Sequence, residues 1–317
     1  EIKECDWSSD VCSSDLHHAR STDFHERAAA LVEDGRIVRR TEESTAPPLT
    51  PDVVAPQIGR MAALLGSRDG IPVGVGFPAA FDAGRDHVCV VPNLSGWVGA
   101  PIRRILSEAV GAPVEVENDA NCYALGEGWS GAARGLSDYV VLTLGSGIGG
   151  GVILGGRLLR GSHGMAGEPG HIAVGRDEPC GCGRFGHVEA IAGANAIERE
   201  AALCGFAPDA RALWRDRDNP LVRPLWDRVF EALGRAVGAV ACLLDPEAVI
   251  VGGGVSRGEG FVGEVRSAAL RFLPDCYSET LDVRASALGN DAALIGAASL
   301  TRCTDTRAPT EAPGRGP

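Results

Sequence analysis

Four stretches of this chain gather residue types that do chemistry. The densest holds His171, Cys180, Cys182 and His187 in a glycine-rich loop, in the order H-x8-C-x-C-x4-H. Two thiols and two imidazoles suit a structural Zn²⁺, which takes four N/S ligands in a tetrahedron and leaves no open position. The plainer alternative is four residues that merely share a loop. Cys180-Gly181-Cys182 has the wrong spacing for a thioredoxin-type redox pair. Glu168 precedes this loop and Glu189 ends it. A lone surface glutamate is simply solvated, but a carboxylate also accepts hydrogen bonds from sugar hydroxyls. Two that bracket a metal-stiffened loop are placed to read a ligand.

Two further stretches offer bare backbone. Leu142–Gly151 carries Gly145, Gly147, Gly149, Gly150 and Gly151, with Thr143 and Ser146 as hydroxyl donors. Glycine lets backbone N–H groups approach an anion with no Cβ in the way. A hairpin rather than a helix is expected next, so this is not the dinucleotide fingerprint; the alternative is an ordinary glycine turn. Val249-Ile250-Val251 runs straight into Gly252-Gly253-Gly254, which suits a nucleotide lying flat on main chain, or again a structural turn. The fourth stretch is Glu117-Asn118-Asp119-Ala120-Asn121. A carboxylate at a helix start stays ionised under the helix dipole. Taken alone, Asn118 and Asp119 read as caps; Asp119 could also accept a proton from a substrate hydroxyl.

The elements that must position these stretches alternate. Ala28–Val32 and Arg36–Arg40 flank Glu33-Asp34-Gly35, a hairpin signal. Helical spacing marks Pro51–Leu65, Ile102–Val110, Ala120–Trp129, Leu225–Leu244 and Asp291–Leu300. Strands are expected at Ile71–Phe77, Val114–Glu117, Tyr139–Leu144, Gly150–Leu154, Arg157–Arg160, Ala248–Val251 and Val283–Ala285. Such alternation gives an α/β fold with helix-covered sheets, and ligands sit beyond the carboxyl ends of the strands. The motif loops follow Glu117, Leu144 and Val251.

Composition bounds the function. The 317 residues carry a formal net charge of −12, which argues against nucleic acid or an anionic membrane as partner. No apolar run is long enough for a transmembrane helix. The 10 cysteines are scattered apart from Cys180 and Cys182, and the acidic start (Glu1, Glu4, Asp6, Asp10, Asp15) is no secretory signal. A reduced, cytoplasmic protein is expected. Residues 1–20, with the near-repeat Ser8-Ser9-Asp10 and Ser13-Ser14-Asp15, read as a non-native or disordered extension. Thr304–Pro317 reads as a loose tail.

Taken together, Pro92–Trp97, Glu117–Asn121, Leu142–Gly151, Gly164–His171, Cys180–Glu189 and Val249–Ser256 resemble the ROK family of sugar kinases and related repressors, over about Ala28 to Leu300. The resemblance implies an actin-like (ribonuclease H-like) ATPase fold with two α/β domains around a cleft. The smaller domain would comprise residues 21–117 plus 288–303, and the larger residues 118–287. It implies ATP, Mg²⁺ and a structural Zn²⁺, a hexose substrate, and a homodimer or tetramer. Asp119 would be the catalytic base. Asn118, Glu168, His171 and Glu189 would contact sugar along with it, and His171 would also hold zinc. Gly145–Gly147 would match the second phosphate loop and Gly252–Gly254 the adenosine loop. Glucose is the expected hexose, with N-acetylglucosamine or N-acetylmannosamine as alternatives. A sugar-responsive repressor and a catalytically idle sugar binder are the competing functions. Two departures stand out. His187 replaces a usual cysteine, and Ser21–Glu26 aligns with the family's D-x-G-G-T-K loop without its glycines, Thr or Lys. The preceding strand is expected to be missing, and phosphoryl transfer to be weak.

Overall fold

A computed structural model describes residues 2–7, 25–45, 47–66, 72–91, 94 and 96–302. Strand β1 (Ile2–Trp7) is followed by the hairpin β2 (His25–Glu33) and β3 (Arg36–Thr45). The hairpin turns on Asp34 and Gly35, both at positive φ (47° and 74°), the conformation that matches strand twist and favours Asp-Gly. Helix α1 (Pro51–Leu64) starts on Pro51, where the missing N–H costs nothing, and buries Val54, Ala55, Ile58, Met61 and Ala62. Next come β4 (Val73–Phe77), the short pair β5 (Ala80–Phe81) and β6 (Val88–Val90), and α2 (Ile102–Val110), closed by left-handed Gly111. Strand β7 (Val114–Asn118) completes a sheet of order β3-β2-β1-β4-β7, with β1, β4 and β7 parallel.

Helix α3 (Asp119–Ser130) leads to the second sheet, which begins with β8 (Tyr139–Leu144), β9 (Ile148–Leu154) and β10 (Arg157–Leu158). Helices α4 (Glu189–Ala192), α5 (Ala194–Leu203), α6 (Ala210–Arg215) and α7 (Arg223–Leu244) precede β11 (Ala248–Gly252). Helices α8 (Phe261–Leu270) and α9 (Tyr277–Thr280), strand β12 (Val283–Ala285) and helix α10 (Asp291–Ser299) finish the fold. The order is β10-β9-β8-β11-β12, with β8, β11 and β12 parallel. Val140, Leu142, Val249 and Val251 share a buried cluster with Trp214, Trp226, Phe230 and Phe261. The Trp214 and Trp226 rings meet edge to face at 5.1 Å.

Helices α3 and α10 cross closely. A Cβ on Gly126 would lie 1.9 Å from the Ala292 carbonyl oxygen, and one on Gly296 would lie 1.7 Å from that of Cys122. Small residues on both helices permit this contact. Helix α10 thereby packs on β1, β4 and α3 together.

Of residues 1–20, read as an extension, the structure describes Ile2–Trp7, and there it corrects the expectation of disorder. Ile2–Trp7 pairs between β2 and β4, at the strand position the sequence reading leaves missing. Facing edges of β2 and β4 present rows of N–H and C=O groups that need partners, and a short extended segment supplies them. Of the Ser21–Glu26 segment aligned with the phosphate loop, His25 and Glu26 pair within β2. Residues 21–24 lie outside the described residues, as do the expected tail Thr304–Pro317 and Pro92, Asn93 and Ser95 of the Pro92–Trp97 stretch. From that stretch Leu94 and Trp97 are core residues, and Trp97 Nε1 donates to the Leu49 carbonyl at 2.9 Å.

Candidate active site

The carboxyl end of β7, the β8–β9 turn and the loop after β10 converge on a cavity of about 190 Å³. Asn118, Asp119, Thr143, Gly145, Gly147, Glu168, His171 and Glu189 line it, opposite Ala80 and Val90 of β5 and β6. Eight residues expected from the sequence are thus brought together. Ser146 lies in the same turn without lining the cavity, and its carbonyl accepts from Asn195 N–H. Gly252–Gly254 also stands off the lining. It leaves β11 beside the end of β8, and at Gly253 (φ 89°) a Cβ would lie 2.4 Å from the Leu144 carbonyl oxygen. The two glycine turns therefore abut.

Asn118 caps α3, its Oδ1 accepting from Ala120 N–H at 2.9 Å and Asn121 N–H at 3.1 Å. Asp119 begins the helix and accepts from Ala120 N–H at 2.9 Å. Burial pushes its carboxyl up to about 6; the Glu168 charge adds to this, and the Ala120 N–H works against it. Burial also raises Glu168, with Glu189 adding and His171 opposing. Glu189 ties two walls together. Its Oε2 accepts from Ile148 N–H at 2.9 Å, and its Oε1 from the Cys180 thiol at 3.3 Å.

His171, Cys180, Cys182 and His187 each offer one ligand atom, and these atoms lie within 4.8 Å of one another. His171 Nδ1 is 3.3 Å from His187 Nδ1 and 3.9 Å from Cys180 Sγ, and Cys182 Sγ is 3.3 Å from His187 Nδ1. Tetrahedral zinc with bonds of about 2.0–2.3 Å spaces its ligands about 3.3–3.8 Å apart, and the three close pairs, at 3.3–3.9 Å, approach that spacing, so the donor set suits the ion. Among the described residues this is the one such cluster. Backbone bridges Ala173–His187 and Pro179–Phe185 shape the loop. Burial first, then the Glu189 charge, pushes the Cys180 thiol up to about 12, the direction that a bound cation reverses.

Residues 24–303 match the ROK family. The chain belongs to the ROK family. It is 36% identical to a glucokinase of Thermotoga maritima over 295 residues, 86% of this chain and 92% of that one. It is 31% identical to an N-acetylmannosamine kinase of Salmonella typhi over 279 residues, covering 87% and 94%. A crystal structure of a ROK family glucokinase from Streptomyces griseus in complex with glucose and AMPPNP superposes with a TM-score of 0.74 at 33% identity, covering 87% and 96%. This ROK chain has the family's actin-like ATPase fold. Among the described residues no helix is long and apolar enough to cross a membrane.

Two carboxylates of this ROK chain escaped the sequence reading as functional candidates. Glu117 is buried on the far side of the Asn118–Asp119 corner, between Arg85 and Arg160. Glu127, fully buried in α3, accepts from Ser286 Oγ at 2.6 Å and from the Ala132 and Leu288 N–H groups at 2.7 and 3.0 Å. Ser286 Oγ also meets the Tyr123 hydroxyl at 2.6 Å. The partners Arg85 and Arg160 of Glu117 and Ser286 and Leu288 of Glu127 are distant in sequence, so the residues around each glutamate give no signal of them.

Proposed function

We propose that this ROK chain transfers the γ-phosphoryl group of ATP to the 6-hydroxyl of glucose. One observation carries the reading: Asp119, a carboxyl near pKa 6, shares a cavity wall with the Gly145–Gly147 turn and with Glu168, His171 and Glu189. A base with a pKa just below neutral is ionised at work yet able to hold the proton it takes. Asp119 accepts the proton of the 6-hydroxyl as that oxygen bonds to the γ-phosphorus and the bond to the ADP oxygen breaks. Asn118, Glu168, His171 and Glu189 bind the sugar hydroxyls. Gly145, Ser146, Gly147 and Thr143 receive the phosphates, and Gly252–Gly254 packs against adenosine. A Mg²⁺ ion carried in with the nucleotide would supply charge neutralisation for the phosphates.

His171, Cys180, Cys182 and His187 would hold a structural Zn²⁺, which would brace the sugar-reading loop. The Nδ1 of His171 faces that cluster, which leaves Nε2–H to donate to a sugar oxygen. The two sheets act as two domains around the cleft, residues 21–117 with 288–303 and residues 118–287. We further propose a cytoplasmic homodimer or tetramer. Its free thiols, such as Cys89, Cys204 and Cys276, fit a reduced compartment, and light scattering measures its size.

A coupled assay on glucose, N-acetylglucosamine and N-acetylmannosamine tests the substrate. Among the described residues nothing in the cavity lining marks an acetamido pocket, so glucose is expected to turn over fastest. Faster turnover of an N-acetyl hexosamine would move this chain toward its Salmonella relative. Hexose binding without turnover of any sugar would make it an idle binder.

A further inference from the structure

Glu117 carries a charge into the interior: its side chain is 4% exposed. Such a carboxylate is tolerated only with several good donors. It has four. Oε1 accepts from Asn118 N–H at 3.0 Å and from Asn121 Nδ2 at 3.1 Å. Oε2 accepts from Arg160 Nε at 2.6 Å and from Arg85 Nη1 at 3.3 Å.

These donors come from three places around the cavity. Asn118 and Asn121 belong to the corner that projects Asp119. Arg85 sits between β5 and β6, the pair whose Ala80 and Val90 form the opposite wall. Its φ of 57° is uncommon for a residue with a side chain and is kept only where the surroundings hold it. Arg160 opens the loop that ends on Glu168; Ala166 N–H donates to its carbonyl at 3.1 Å. The two loops also touch. A Cβ on Gly164 would lie 2.7 Å from the Phe81 carbonyl oxygen.

We infer that Glu117 is a positioning residue for the sugar end of the cleft: its pairs with Arg160 and Arg85 staple the Glu168 loop and the β5–β6 loop to the Asn118–Asp119 corner. The inference rests on the reading of this cleft as a hexose site. It assigns Glu117 to hexose affinity, not to nucleotide affinity, because its four donors belong to the corner, the β5–β6 loop and the Glu168 loop, and none to Gly145–Gly147 or Gly252–Gly254. The ion pairs also join a loop of the first sheet's side to a loop of the second, so they hold the cavity's two walls in register.

The test compares Glu117→Gln, Arg160→Met, their double variant and Arg160→Lys with the unaltered protein. Arg160 is 38% exposed, so Arg160→Met leaves the core intact should Glu117→Gln fold poorly. Glucose and a non-hydrolysable ATP analogue are titrated separately by calorimetry, and amide exchange is followed by mass spectrometry. Each single variant is expected to weaken glucose binding about tenfold or more, equivalent to ~1.4 kcal/mol. Analogue binding should stay within about twofold. The double variant should be no worse than the worse single one, since the groups act as a unit. Arg160→Lys should recover part of the loss. Exchange should quicken in residues 82–87 and 159–168 alone. Glucose affinity within about twofold of the unaltered protein, equal losses for both ligands, or quickened exchange across both sheets would overturn the inference. If the unaltered protein binds no hexose, the reading of the cleft fails, while the exchange pattern still decides whether Glu117 holds the two loops.

Discussion

Replacing Asp119 by Asn should make the protein both inactive and more stable, and the two effects have one cause. The carboxyl's ordinary pKa is 3.8, and in the cleft it lies at about 6. At 1.36 kcal/mol per pH unit, that difference sets an upper bound of about 3 kcal/mol on the cost of its charge. The side chain keeps some contact with cleft water, which brings the figure down to roughly 1–2 kcal/mol. The sign follows from the direction of the shift. Well below 3.8 the carboxyl is neutral in the folded and the unfolded chain, and the cost is nil. It grows as pH rises between the two values and is complete above 6. Asp119→Asn removes the charge and keeps an oxygen for the Ala120 N–H. It should therefore raise the melting temperature at pH 8 by about 2–6 °C, and the gain should shrink through pH 4 and vanish well below 3.8, at pH ~2.5. Turnover should fall by about 10²–10⁴, the usual contribution of a positioned base. Thermal melts of both proteins across this pH range, beside a coupled kinase assay, read everything at once. Equal melting at pH 8, a gain undiminished at pH ~2.5, or undiminished turnover would each refute the assignment of a buried, proton-accepting carboxyl.

Other outcomes follow from the same geometry. The kcat/KM for hexose should fall tenfold per pH unit below about 6, as the base becomes protonated; a flat profile down to pH 5 would count against Asp119. Warm chelation, or Cys182→Ala, should weaken glucose binding about 10–100-fold by loosening the loop that carries His171, and zinc-free protein with normal glucose affinity would separate the metal from the sugar site. Gly253→Ala should raise the KM for ATP and leave glucose binding alone, because the new Cβ would lie 2.4 Å from the Leu144 carbonyl oxygen at φ 89°; an unchanged KM would remove this turn from the nucleotide site. Residues 8–24, between β1 and β2, contain no glycine, so grafting a D-x-G-G-T-K loop there should raise kcat, and a kcat that does not move would show that the first loop is not limiting.

The site was more legible in the sequence than its supports. Asn118, Asp119, Gly145, Gly147, Glu168, His171 and Glu189 fall in short motifs whose residue types announce their chemistry, and all seven line one cavity. Long elements were readable for a similar reason. Ile102–Val110 and Tyr139–Leu144 carry enough periodic apolar residues to fix their type and limits. Short helices such as Ala210–Arg215 complete too little of a period to stand out, and their positions depend on packing around Trp214 and Trp226. The partners of Glu117 could not be read, because Arg85 and Arg160 come from loops on opposite walls and meet it only through the fold. Ile2–Trp7 was missed because its pairing is a matter of backbone partners offered by β2 and β4, not of a pattern in its own residues.

A crystal soaked with glucose tests the central claim most directly. The sugar should lie in the cavity with its 6-hydroxyl within hydrogen-bonding distance of the Asp119 carboxylate, its other hydroxyls on Asn118, Glu168, His171 and Glu189, and a tetrahedral ion behind His171. A hexose bound elsewhere, or with its 6-hydroxyl turned away from Asp119, would contradict the account.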